Sequence, residues 1–254
     1  MKIITKKTSE SLRKLNIIAG FFHLILASVV LFVSNGFSLP VTATYLAGPP
    51  GSIFADPVTL FDIRIGYAVA LFLGLSSLFH FVVASPQFFK KYIDGLKNNI
   101  NVFRWVEYSV SSSLMILLIA QITGISNYGA LLGIVGVNAS MILFGWLQEK
   151  YAKPGDGQWL PFIFGSIAGL IPWLIVLVSV LAPNSPVDAS PPGFVYGIII
   201  SIFLLFNSFA WVQYKQYQAK GKWKDYLRGE RAYIVLSFVA KAALSMQIFA
   251  NTLI

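Results

Sequence analysis

The 254-residue chain has no cysteine, only two histidines and only ten acidic residues. Without a thiol it can form no disulfide framework, no thiolate metal site and no cysteine nucleophile. Charge is scarce: 11% of residues are charged and 56% hydrophobic, where a soluble domain carries about 25% and about 45–50%. With a mean hydropathy of +0.72, this excludes a water-soluble globule and a disordered chain. Neither H-E-x-x-H, nor a phosphate-binding glycine loop, nor G-x-S-x-G occurs, so the sequence offers no enzyme motif and no metal site is expected.

What the chain does have is long apolar runs. A membrane-crossing helix needs about 20 predominantly apolar residues. Seven segments qualify, near residues 15–34, 63–84, 98–122, 128–147, 159–182, 193–214 and 231–252. Turn chemistry such as Asn35-Gly36, Ser85-Pro86, Pro154-Gly155 and Lys220-Gly221 separates them. The expected fold is an all-α, seven-helix membrane bundle forming one domain over residues 1–254. The first span has too long an apolar run for a signal peptide and is followed by no A-x-A site, so it reads as an uncleaved helix.

The net charge of +9 would suit nucleic acid if it were spread over one face, but it is sorted by loop. Lys2, Lys6, Lys7, Arg13 and Lys14 precede span 1; Lys90, Lys91 and Lys97 follow span 2; Lys150 and Lys153 follow span 4; Lys215, Lys220, Lys222, Lys224, Arg228 and Arg231 surround the link between spans 6 and 7. The alternate loops, 35–62, 123–127 and 183–192, hold no Lys or Arg, and neither does the tail after Thr252. Arg64 is the one exception near that side. The positive-inside rule therefore predicts a multi-pass protein of the cell membrane with a cytoplasmic N-terminus and an extracellular C-terminus. Lipid is then the expected partner, and no nucleic acid is needed. The long external loop 35–62 has Val41-Thr42-Ala43-Thr44-Tyr45 ahead of Gly48-Pro49-Pro50-Gly51, which predicts a β-hairpin.

Three charges fall deep within spans: Arg104 and Glu107 in span 3 and Lys241 in span 7. Unpaired, each costs about 2.5–3.5 kcal/mol or more at the bilayer centre. At about 1.5 Å per residue, Glu107 and Lys241 both lie roughly 13–15 Å from the inner boundary, which predicts a pair. Arg104, at i,i+3, is expected on the same face as Glu107. A buried lysine amine can form a Schiff base with an aldehyde, and Glu107 could balance its charge; a structural ion pair is the alternative. His23, His80, Ser76, Asn16, Asn101 and Tyr108 fall at or inward of this level and outline an inner polar cavity. Outward, span 3 runs into Leu114-Met115-Ile116-Leu117-Leu118, and no second carboxylate is seen in any span core. A pump needs polar groups on both sides of its switch, so transport is disfavoured.

Arg104-Trp105-Val106-Glu107-Tyr108 in span 3 and Ser237-Phe238-Val239-Ala240-Lys241 in span 7, with the inverted orientation and the long first external loop, resemble the heliorhodopsins among microbial rhodopsins. The resemblance covers the whole chain and is close to the founding, actinobacterial-type members. It implies all-trans retinal bound covalently to Lys241 as a protonated Schiff base, Glu107 as counterion and Ser237 within hydrogen-bond reach. It also implies an inner polar cavity with His23, His80, Ser76, Asn101 and Arg104, and a retinal pocket with Tyr108, Met141, Phe206 and Gln213. The implied function is light sensing and signalling through all-trans to 13-cis isomerisation, with a slow photocycle and no ion transport. Two other readings stay open: a light-driven transporter, and a non-photochemical carrier with a structural Lys–Glu pair. The family implies a homodimer, for which Gly129, Gly133 and Gly136 in span 4 offer a small-residue face. The basic, aromatic stretch 214–228 suits an anionic lipid surface, with a cytoplasmic signalling partner as the alternative.

Overall fold

A computed structural model describes residues 3–181 and 191–250. Its elements, in chain order, are α1 (Lys6–Val33), β1 (Ser38–Ala43), β2 (Val58–Arg64), α2 (Ile65–Ala84), α3 (Pro86–Lys97), α4 (Val102–Ile122), α5 (Tyr128–Tyr151), α6 (Leu160–Leu181), α7 (Gly193–Gln218), one 3-10 turn (Gly221–Lys224) and α8 (Tyr226–Ile248). All of these helices except α3 are long and apolar enough to cross a membrane, and they are the seven spans read from the sequence. The outer loop expected at 183–192 falls largely, and the tail after Thr252 wholly, outside the described residues.

Helix ends differ from the ends of the apolar segments, because hydropathy marks the hydrocarbon slab while capping marks helix ends. α1 begins at Lys6, not near residue 15: Thr5 caps it, its side chain accepting from the Thr8 N–H at 3.2 Å. Asp225 caps α8 by accepting from the Leu227 N–H at 3.1 Å, so α8 starts five residues ahead of the expected 231. α4 starts at Val102, later than expected, because Asn99 takes a left-handed φ of 58° and Asn101 caps the helix.

α3 corrects the expectation of a plain loop after span 2. Pro86 stands at its first turn, and Phe89, Tyr92, Ile93 and Leu96 form one stripe that packs with Leu12 of α1 and Tyr226 and Leu227 of α8. The helix lies across the basic end of the bundle.

At the other end, β1 and β2 pair antiparallel, with a register shift between Val41 and Thr42. Ser52 N–H donating to Pro49 O at 3.0 Å closes the turn, where Gly51 has a φ of 97°. This is the hairpin the sequence predicted. Thr42 ties it to the α4–α5 loop, its N–H donating to Ser126 O at 2.8 Å. Below the hairpin an apolar core fills that half of the bundle, with Phe72, Leu73, Met115, Ile116, Ile119, Ile134, Val176, Ile202 and Leu244 in one cluster.

Candidate functional site

Lys241 and Glu107 meet in the middle of the bundle. Lys241 Nζ lies 2.6 Å from Glu107 Oε1, with side-chain exposures of 4% and 7%. Ser76 completes a triangle: Lys241 Nζ donates to Ser76 Oγ at 2.5 Å, and Ser76 Oγ lies 2.6 Å from Glu107 Oε1. The amine also sits 5.2 Å from the Tyr108 ring centroid. So α2, α4 and α8 each contribute one polar group. The hydroxyl bonded to the free amine is that of Ser76. Ser237 is buried one turn before Lys241, beside Tyr108, and shares a cavity wall with the lysine.

A polar chamber opens on the basic-end side of this triangle. Asn16, Ser76, His80, Tyr92, Asn101, Arg104, Glu107 and Glu230 line it. His80 Nδ1 lies 2.8 Å from Asn16 Oδ1. His23 departs from expectation: it is fully buried and stacks on His80 with ring centroids 5.6 Å apart, but neither ring nitrogen has a partner, and it lies behind the chamber wall.

Arg104 lines the chamber with Glu107, as expected, and forms salt bridges with Glu149 of α5 and Glu230 of α8. Glu149 further accepts from Tyr226 Oη at 2.8 Å, Trp105 Nε1 at 2.6 Å and the Asn101 N–H at 3.0 Å. Glu230 accepts from Tyr92 Oη at 3.0 Å and Asn101 Nδ2 at 2.9 Å. The Arg104 guanidinium carbon stands 4.1 Å from the Tyr233 ring centroid. This cluster joins α3, α4, α5 and α8 and closes the chamber toward the basic end. Sequence reasoning missed both carboxylates because each is followed by a basic residue, Lys150 or Arg231, at a span edge. The signal was there: with Glu107 matched to Lys241, a buried Arg104 needed another acid.

On the other side of Lys241 lies a largely apolar cavity bounded by α4, α5, α6, α7 and α8, with about 820 Å³ of atom-free space, its open mouth included. Tyr108, Met141, Phe206 and Gln213, expected in one pocket, all line it, together with Trp105, Met115, Gly145, Phe162, Phe209, Tyr233 and Ser237. Trp173 holds Phe206 edge-on at 5.6 Å, Gln213 Nε2 donates to Gly145 O at 3.0 Å, and Tyr108 Oη donates to Tyr233 O at 2.9 Å. Gly145 is required by close packing, because a Cβ there would stand 2.5 Å from the Trp105 ring. A buried primary amine at the end of an apolar, aromatic-walled cavity, with a carboxylate beside it and a buried hydroxyl, Ser237, in the wall, fits a long apolar aldehyde such as retinal. The apolar walls would take the polyene, Lys241 the aldehyde carbon, and Glu107 the resulting positive charge.

A family model described as Heliorhodopsin matches residues 12–253. A search of curated proteins finds no match.

Proposed function

The chain belongs to the heliorhodopsin family of retinal-binding, rhodopsin-like membrane photoreceptors, and we propose that it senses light through all-trans retinal held covalently on Lys241. The single observation that carries the assignment to Lys241 is its buried amine, at the end of the aromatic cavity and 2.6 Å from a buried carboxylate. Bound retinal supplies absorption of visible light and a light-driven all-trans to 13-cis isomerisation; the chain supplies attachment, charge balance and a path for a proton. Trp105, Phe206 and Phe209 confine the polyene. Glu107 keeps the positive charge on Nζ favourable in a low-dielectric interior. Ser76 positions both partners.

A proton leaving Nζ has Glu107 Oε1 as its near acceptor, and beyond it the chamber with His80 and Asn16. On the opposite side the described residues form the apolar core of the bundle, where the buried polar groups, such as Ser111, Gln121 and Ser245, are hydroxyls and amides, a poor relay. This asymmetry supports a sensor with a slow photocycle, in which the proton stays on the inner side, over a light-driven transporter. The sorting of lysines supports a cytoplasmic basic end and N-terminus. Gly133 and Gly136 of α5 face away from the bundle into open space, which supports that face as the contact with a second copy of the chain. The basic end would present the signal to a soluble partner.

The attachment is tested by incubating the protein with all-trans retinal, reducing with borohydride and mapping peptides by mass. The Lys241 peptide should gain one retinyl group, and Glu107→Gln should lower the yield. Labelling elsewhere, or nowhere in folded protein, would overturn the assignment.

A further inference from the structure

We propose that the cleft between α1 and α3 is a binding site for the phosphate headgroup of an anionic phospholipid. The cleft holds about 450 Å³ and is lined by Ser9 and Arg13 of α1 and by Pro86, Phe89, Lys90, Ile93, Asp94 and Lys97 of α3. Arg13 is preset for an anion. Its Nε donates to Ala84 O at 2.8 Å and its guanidinium carbon sits 5.3 Å from the Phe89 ring centroid, while its Nη atoms carry no hydrogen bond among the described residues. A guanidinium fork fixed at one nitrogen loses little entropy on gripping a phosphate oxygen pair.

Depth and chemistry agree on a lipid. Ala84 is the last residue of the second span, so Arg13 stands at the hydrocarbon edge, where lipid phosphates lie. Phe89 and Ile93 give the cleft an apolar floor, and Phe88 beside it is 43% exposed; this suits glycerol and acyl carbons and serves no purpose for free phosphate. The one carboxylate among the lining residues, Asp94, is paired with Lys97 at 2.7 Å and also faces Lys90, so Arg13, Lys90 and Lys97 share a single acid and the cleft stays net positive. The stripe of α3 that packs inward presents Tyr92 to Glu230. A headgroup that fixes α3 would therefore also steady one wall of the inner chamber.

The site rests on the membrane-spanning fold and not on the chromophore. The test is native mass spectrometry of the full chain with equimolar phosphatidylglycerol and phosphatidylcholine. The wild type should retain one phosphatidylglycerol per chain in preference to phosphatidylcholine. The preference should fall about tenfold in R13Q, the worth of a charge-assisted contact, and be unchanged in the control K150Q/K153Q, whose exposed lysines stand at the end of α5 and line no part of the cleft. Should R13Q fold poorly, K90Q, an exposed side chain, should still lower the preference several-fold. Equal retention of the two lipids, or a preference untouched by R13Q and K90Q, would overturn the proposal. So would displacement of the lipid by millimolar inorganic phosphate, which would make the cleft a site for soluble phosphate instead.

Discussion

At the residue scale the interior is arranged as two charge problems solved separately. Lys241 and Glu107 answer each other directly, with Ser76 bonded to both, and Arg104 is answered twice, by Glu149 and Glu230. Breaking a buried pair from one side costs about 3–5 kcal/mol, since the partner is left charged and unsolvated. Arg104→Ala strands two carboxylates and should destabilise the protein by at least that much, read as a lowered midpoint in denaturant-detergent titration; Arg104→Lys, which keeps the charge and loses the fork, should cost less. Equal stability of Arg104→Ala and wild type would show that the cluster is not held by the guanidinium. Glu107→Gln acts on the other problem. With the counterion gone, the positive charge on Nζ is less favoured, so the retinal-loaded protein should absorb further to the red or lose the proton on Nζ at lower pH. A spectrum and pH titration matching the wild type would remove Glu107 from this role.

Elements put these residues in register, and their ends are set by caps that apolar runs do not reveal. Asn127 caps α5, accepting from the Gly129 N–H at 2.9 Å and the Ala130 N–H at 3.3 Å; Asn127→Ala should cost about 1 kcal/mol, measurable in the same titration. Gly145 sets how closely α5 approaches α4. Gly145→Ala forces the Trp105 indole to move, straining its 2.6 Å bond to Glu149; overpacking of this kind costs about 1–3 kcal/mol, and retinal uptake should slow. Unchanged stability and uptake would mean the indole can yield freely. The same elements show what was legible in the sequence. The seven spans, the hairpin and the depth match of Lys241 with Glu107 follow from hydropathy, turn residues and helical rise, all local properties. α3 was hidden because its polar and apolar residues balance within 12 positions, too short and too mixed for a span yet well patterned for an interface. Glu149, Glu230 and the bond of Ser76 to Lys241 depend on which helix faces which, and a single chain does not encode that locally.

For the whole molecule, the polarity of the bundle is the functional statement: basic loops and a polar chamber at one end, an apolar core and hairpin at the other. The chain has no cysteine, so single introduced cysteines report sidedness cleanly. Gly48→Cys in the hairpin should react with a membrane-impermeant maleimide on intact cells, and Lys222→Cys only after lysis; the reverse pattern would invert the topology. Illuminated vesicles containing the retinal-loaded protein should show no sustained pH change across the membrane, and a steady protonophore-sensitive gradient would establish a pump. The most direct measurement is the visible spectrum of purified protein prepared with all-trans retinal, beside Lys241→Ala prepared identically. A visible band is expected in the wild type and none in the variant. No band in well-folded wild-type protein, or an equal band in Lys241→Ala, would contradict retinal attachment to Lys241.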